Sequence, residues 1–139
     1  VFRDFTYRPG VTEISTPLSE VFRRREGVCQ DFAHFQIACL RAMGIPACYV
    51  SGYLLTTPPP GKGKLRGTDA SHAWISVYCG ERGFVDLDPT NDLLPGDTYI
   101  TLGRGRDYGD VSPLKGVVLG GGASSLVNVE VDVDLMLEP

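Results

Sequence analysis

The sequence predicts an α+β fold in which a helix near the N-terminus packs on an antiparallel β-sheet. Two observations lead to this prediction. Apolar residues in the first third of the chain recur at helical spacing, and from residue 47 onward the spacing changes to the alternation of a strand. Helical patterns therefore come first and strand patterns follow, which is typical of α+β proteins. With 139 residues, the chain is predicted to form a single domain, 1–139, around one core.

Two helices are predicted. The first lies in STPLSEVFRRREG, with Thr16 as N-cap, Pro17 as the first helical residue and Gly27 as terminator. The second runs from about Cys29 to Met43. Its apolar residues extend beyond one face, which predicts that this helix is mostly buried.

The strands are predicted from alternating apolar residues bounded by turn signals. A glycine- and proline-rich loop, PPPGKGKLRG, separates the first strand from the second, and GERG joins the second and third as a hairpin. The last strand pattern runs from Val127 to Leu137 and predicts a half-buried antiparallel strand. The other predicted strands are ACYVSGYLLT, SHAWISVYC, FVDLD and TYITL.

Composition and charge exclude several classes of function. The chain is 42% apolar and 22% charged, as in ordinary globular proteins. A net charge of -4 argues against a nucleic-acid-binding protein, which usually carries a basic face. No apolar stretch approaches the roughly 18 residues of a membrane span, and no signal peptide opens the sequence. The cellular location stays open, with a slight preference for the cytoplasm, and the oligomeric state is not predicted.

The cysteine spacing does not favour a metal site. No C-x-x-C pair is present, so neither zinc nor another metal or cofactor is predicted. Four cysteines in a chain of this length are also too few to suggest a disulfide scaffold. Three of them are interpreted as small core residues. The four are Cys29, Cys39, Cys48 and Cys79.

Cys29 stands at the predicted start of the second helix. There, unpaired backbone N–H groups and the helix dipole stabilise a thiolate. The same N–H groups can hold the oxyanion that forms when the sulfur attacks a carbonyl. The position of Cys29 alone is equally consistent with a small structural residue packed under the end of the helix. A nearby base and a group that orients this base are needed to distinguish a nucleophile from such a residue.

The two histidines differ in their setting. His34 lies about 140° around the helix from Cys29, which predicts a role in the core or in a buried network. His72 opens a strand directly after a polar loop and is the candidate base. Asp86 and Asp88 end the next strand on one face, and either can meet His72 if the hairpin loop has an odd number of residues or a bulge. The alternative for such an aspartate is a turn residue that caps its own backbone.

Three blocks of sequence together resemble the transglutaminase-like superfamily, especially its bacterial members described as cysteine proteases. They are GVCQDFAHFQIACLRAMGIPACYVSGY, SHAWISVY and GFVDLDPTND. The resemblance extends from about Phe5 to at least Pro113. It implies a papain-like core, with Cys29 as nucleophile, His72 as base and Asp88, directly before PTN, as the orienting carboxylate. Asp86 is the second candidate for that last role.

The resemblance and the chemistry of these side chains predict thiol-dependent hydrolysis of amide bonds in a peptide or protein substrate through a thioester. Alternatives are acyl transfer from protein glutamine, and a non-catalytic domain that binds peptides or proteins. Tyr7 is preferred over Gln30 as the second oxyanion donor. Trp74 either walls the site or is an ordinary core residue.

Larger bacterial members of this family carry an additional β-rich N-terminal domain. This sequence begins at Val1, almost at the catalytic part. Residues 1–139 are therefore expected to be either an excised catalytic domain or a short version of such a protein.

Overall fold

The computed structural model describes residues 1–55, 61, 71–112, 116 and 131–134. Within these ranges two helices, accompanied by two short strands, come first, and four longer strands follow. A 3₁₀ turn, Gly80–Arg82, lies between β4 and β5. The elements are β1 (Thr6–Tyr7), α1 (Leu18–Arg24), β2 (Glu26–Gly27), α2 (Cys29–Ala42), β3 (Ala47–Leu54), β4 (Ser71–Tyr78), β5 (Phe84–Leu87) and β6 (Tyr99–Gly105).

Strands β3 to β6 form a four-stranded sheet in the order β5-β4-β3-β6, and each neighbouring pair is antiparallel. The short strands β1 and β2 pair in parallel just before α2. One face of the sheet packs on α2, which confirms the predicted α+β class. The core between them contains Ala33, Ile37, Ala47, Tyr49, Ala73, Ile75 and Val77.

Helix α1 differs from its prediction at both ends. Pro17, with φ -64° and ψ 141°, is extended and is itself the N-cap, so it does not start the helix. The Thr16 hydroxyl instead accepts a hydrogen bond from the backbone N–H of Glu13 (2.8 Å). The helix ends before Gly27, because Arg25 adopts a left-handed conformation (φ 58°). The Arg25 guanidinium lies 4.3 Å from the centre of the Phe22 ring, a cation–π contact that compensates for part of this strain.

Helix α2 has the predicted bounds, but the prediction that it is mostly buried is wrong. Phe32, Ala33 and Ile37 are buried against the sheet and α1. Cys39 and Met43, two further apolar residues of the predicted helix, are exposed. Among the described residues, α2 contacts β2, β3, β4 and α1, and these contacts leave Cys39 and Met43 uncovered.

The hairpin between β4 and β5 has the odd loop length that the site prediction required. Tyr78 pairs with Phe84, which leaves the five residues 79–83 in the loop. Strand pairing therefore keeps even-numbered residues of β4 opposite even-numbered residues of β5, as in the Ser76 and Asp86 pair.

The last predicted strands agree less well with the structure. The strand predicted in TYITL extends further, to Gly105, and pairs with β3 through a bulge between Ser51 and Gly52. Residues 131–134 form neither helix nor strand, although Val133 is buried. The rest of the predicted terminal strand, and all of the PPPGKGKLRG loop except Gly61, lie outside the described residues. Among the helices in the described ranges, none has the length and apolar character to cross a membrane.

Candidate active site

The start of α2 is fixed by a buried carboxylate. Asp31, 5% exposed, accepts hydrogen bonds from the Val28 backbone N–H (2.8 Å) and the Thr12 hydroxyl (2.6 Å). Gly27 allows this, because a Cβ at position 27 would lie 2.7 Å from an Asp31 oxygen. The arrangement places Cys29 as the first residue of α2, half-buried against the core.

His72 lies between Cys29 and Asp88. Its Nε2 is 2.7 Å from Asp88 Oδ2, and Cys29 lies close enough to the ring to influence the pKa of His72. Because Nε2 faces Asp88, Nδ1 is the ring nitrogen left for Cys29. The structure thus places Asp88 against His72, with Cys29 in the neighbourhood of the same ring.

Asp88 is almost fully buried (2% exposed), and its two oxygens have different partners. Oδ1 accepts the backbone N–H groups of Thr90 (2.8 Å) and Asn91 (3.2 Å). Oδ2 accepts His72, the Asn91 side-chain amide (2.7 Å) and the Tyr99 hydroxyl (2.6 Å). Asp88 therefore caps its own turn and also contacts His72.

The hydrogen bonds decide the charges of the pair. Burial raises the pKa of Asp88, but hydrogen bonds from His72 and Tyr99 outweigh it and lower this pKa to about 2. Burial lowers the pKa of His72, but Asp88 and the nearby Cys29 outweigh it and raise this pKa to about 9. At neutral pH the pair is therefore an imidazolium beside a carboxylate.

Asp86, the second candidate for the orienting carboxylate, is engaged elsewhere. It accepts hydrogen bonds from the Ser76 hydroxyl (2.5 Å), from Trp74 Nε1 (3.2 Å) and from Arg104 (2.9 Å). Trp74 and Ser76 lie on the same side of β4 as His72, two and four residues further along the strand. Asp86 therefore supports Trp74 rather than His72.

Trp74 combines the two roles that the sequence left open. It is fully buried, as a core residue is. Its ring also lies nearly parallel to the His72 ring, with the ring centres 6.0 Å apart and an angle of 29° between the planes. It thus forms the wall behind the imidazole.

Of the two candidate oxyanion donors, Tyr7 is tied to Cys29 by an interaction. Burial raises the pKa of Tyr7, and the charge of Cys29 raises it further. Tyr7 pairs with Gly27, two residues before Cys29, and its side chain remains 53% exposed. Gln30, the second residue of α2, is half-buried.

His34 belongs to a separate network, as its position on the helix predicted. Its Nε2 accepts the backbone N–H of Tyr108 (3.1 Å), and its ring stacks on buried Tyr49 with centres 4.8 Å apart. Burial lowers the pKa of His34, so it is an uncharged acceptor that ties α2 to the segment after β6.

Sequence reasoning missed three residues around Asp88. Asn91 had a usable signal, because an Asp-Pro-Thr-Asn turn can bring the amide back to the carboxylate. Tyr99 had none, since its contact depends on the pairing of β6. Gly52 also had none: it lies opposite His72 in the sheet, and a Cβ there would be 2.5 Å from Trp74 Cη2.

No group of three or more histidine, cysteine, aspartate or glutamate side chains is arranged to hold a metal ion in the part of the chain that the structure describes.

Comparison with known proteins decides the family. The profile of the transglutaminase-like superfamily matches residues 1–89, which include Cys29, His72 and Asp88. The chain belongs to the transglutaminase-like superfamily. A crystal structure of "a Putative Cysteine Protease from Cytophaga hutchinsonii" is similar, with a TM-score of 0.65 and 32% sequence identity, over 80% of this chain and 35% of that one. The predicted transglutaminase-like, papain-like fold is thereby confirmed.

Sequence relatives extend beyond the region of similarity. An uncharacterized protein of Mycobacterium tuberculosis (strain H37Rv) is 56% identical over 137 residues, which is 96% of this chain and 44% of the relative. A protein-glutamine gamma-glutamyltransferase of Pseudomonas aeruginosa is 33% identical over 92 residues, 66% of this chain and 14% of that protein. The transglutaminase-like chain thus spans less than half the length of these relatives.

Proposed function

We propose that this chain hydrolyses amide bonds of a peptide or protein substrate, with Cys29 as nucleophile, His72 as general base and acid, and Asp88 as the carboxylate that orients His72. The observation that supports this most is the position of His72, whose Nε2 lies 2.7 Å from Asp88 Oδ2 and whose pKa is influenced by the nearby Cys29. Nucleophilic catalysis requires this order of a nucleophile, a base and a third group that fixes the base.

In the proposed reaction the Cys29 sulfur, as thiolate, forms a bond to the substrate carbonyl carbon. The resulting oxyanion accepts hydrogen bonds from the Cys29 backbone N–H and a second donor. The carbon–nitrogen bond then breaks, and the amine leaves with the proton that His72 donates. Water next attacks the thioester and gives a proton to His72, which releases the acid and restores the thiolate and imidazolium.

For the second oxyanion donor we propose Tyr7. Tyr7 pairs with Gly27, two residues before Cys29, and half of its side chain faces solvent, where a substrate can reach it. Gln30 is the alternative. Trp74 is assigned a supporting role, because it is fully buried and its contact is with the His72 ring.

The fate of the thioester separates hydrolysis from transamidation. Transamidation requires an amine to be held near the sulfur while water, at about 55 M, is kept away. Cys29 is only half-buried, and Tyr7 beside it is half-exposed, so we expect water to reach the thioester. A transferase is the second candidate, because a relative is named protein-glutamine gamma-glutamyltransferase.

We expect the protein to release free acid faster than it incorporates an amine. The test uses a casein whose lysines are blocked, together with a fluorescent primary amine, with and without calcium. New carboxyl groups, formed by cleavage of peptide bonds or by conversion of glutamine to glutamate, and fluorescence are measured on the same samples, with Cys29→Ala as the blank. Amine incorporation that outpaces acid formation would show that the hydrolase assignment is wrong and the transferase assignment right.

We also expect iodoacetamide to label Cys29 before the other cysteines at neutral or mildly acidic pH. The imidazolium of His72 stabilises the thiolate, which is the form that reacts. Accessibility alone predicts another order, because Cys39 and Cys79 are exposed whereas Cys29 is half-buried. Mass mapping of a time course measures the order.

The matched control for this labelling is His72→Ala, in which Cys29 should lose its advantage over Cys39. Faster labelling of Cys39 or Cys79 in the folded wild-type protein would remove the case for an activated thiol. That result would favour the non-catalytic binding domain as the function of this fold.

A further inference from the structure

Tyr99 reaches the candidate site from a distant strand. It begins β6, and both β3 and β4 lie between β6 and β5, the strand that Asp88 follows. Its hydroxyl nevertheless donates to Asp88 Oδ2 (2.6 Å). Gly52 of β3 pairs with His72, and a Cβ there would lie 2.5 Å from Cη2 of Trp74, the ring against which Tyr99 packs.

The Tyr99 ring is held on two sides. It packs edge-on against Trp74, with ring centres 5.3 Å apart and planes at 85°. It also lies 5.9 Å from the His72 ring, at 57°. These contacts orient the hydroxyl independently of the hydrogen bond, so deletion of the oxygen alone leaves the ring in place.

Asp88 Oδ2 receives three donors, namely His72, Asn91 and Tyr99, all within 2.7 Å. A carboxylate oxygen that accepts several hydrogen bonds shares its negative charge among them, and each donor weakens its attraction for the others. The strength of the Asp88 contact with His72 therefore depends on the two other donors.

We propose that Tyr99 is a positioning residue of the proposed reaction, whose hydroxyl holds the Asp88 carboxylate against His72 and limits how strongly that carboxylate retains the imidazolium proton. This inference rests on the proposed function. A base that binds its proton less tightly transfers it more readily to the leaving amine, so Tyr99 acts on the rate through Asp88 and His72 without touching substrate.

The other charged groups near the site do not take this role. Cys29 faces His72 from α2. Asp86 on β5 is paired with Arg104 on β6 (2.9 Å), and its remaining described hydrogen bonds go to Trp74 and Ser76. Among the residues that the structure describes, the titratable side chains hydrogen-bonded to Asp88 are His72 and Tyr99, and Asn91 is neutral.

The experiment is a ¹H–¹³C NMR titration of the histidines in Tyr99→Phe. The chain has only two histidines, and a His34→Ala spectrum assigns the resonance of His72. Wild-type His72 should titrate near pH 9. In Tyr99→Phe we expect its midpoint to move upward, because Asp88 loses a competing donor. Turnover should fall by about tenfold in kcat, with KM unchanged.

Tyr78→Phe is the matched control, because Tyr78 ends β4 and packs on Phe84 at the far end of the hairpin. It should leave the His72 midpoint unchanged. Asn91→Ala removes the other competing donor and should move the midpoint in the same direction as Tyr99→Phe. Folding of each variant is checked by circular dichroism.

A His72 midpoint in folded Tyr99→Phe that equals the Tyr78→Phe value, or lies below it, would overturn the proposal. An upward shift with a fall in kcat supports it. Because the titration needs no turnover, an upward shift in a protein that lacks hydrolysis would contradict the proposed function and still support the effect of Tyr99 on His72.

Discussion

Cys29→Ala and His72→Ala should each lower turnover by at least about a thousandfold while the protein stays folded. The first removes the atom that attacks the carbonyl, and the second removes the group that moves the proton. Asp88→Asn should be less severe, with a loss between about a hundredfold and ten-thousandfold, because the imidazole remains near the sulfur but loses the acceptor that fixes its orientation. Release of new amino groups from unfolded casein measures all three variants.

Two controls separate chemistry from structure in this series. Cys39→Ala changes an exposed thiol on the same helix and should leave turnover unchanged. His34→Ala breaks the contact with the Tyr108 N–H, so it should lower the free energy of unfolding more than the rate. A His34 variant that folds normally and is inactive would show that the base was assigned to the wrong histidine.

Gly52→Ala should destabilise the protein by about 3 kcal/mol or more. A Cβ at this position would lie 2.0 Å from the Ile100 carbonyl oxygen and 2.5 Å from Trp74 Cη2. The first atom is backbone of the paired strand β6 and the second belongs to a fully buried side chain, so neither can move away at low cost. Urea denaturation measures the loss.

Gly96→Ala makes the same chemical change where a Cβ meets no heavy atom within 4 Å. Its free energy of unfolding should stay within about 0.5 kcal/mol of wild type. If Gly52→Ala were equally mild, the close approach of β6 and Trp74 around position 52 would not exist in solution.

The sequence predicted those parts of the site that depend on residues close together in the chain. The helix start at Cys29 follows from Gly27 and the apolar pattern. Even-numbered residues of β4 face even-numbered residues of β5, which puts His72 and Asp88 on one side. Local spacing also misled at α1, because proline is compatible with both the N-cap and the first turn. The extended conformation of Pro17, which makes it the N-cap, is visible only in the structure.

The contacts that hold Asp88 depend on long-range pairing. Tyr99 meets Asp88 because β6 pairs with β3, and a bulge between Ser51 and Gly52 shifts the register of that pairing. One residue of shift moves every side chain of a strand to the other face. No pattern in TYITL encodes that shift, so sequence reasoning could predict the strand but not which of its residues reaches the site.

The five-residue loop 79–83 has a consequence for how this chain can vary during evolution. The strands on either side stay in register with one another, so inserting or deleting one residue in the loop would turn β5 over and point Asp88 away from His72 unless a new bulge compensated. Inserting or deleting two residues preserves the parity. Functional homologues should therefore differ in this loop by even numbers of residues, and its length is under stronger selection than most of its side chains.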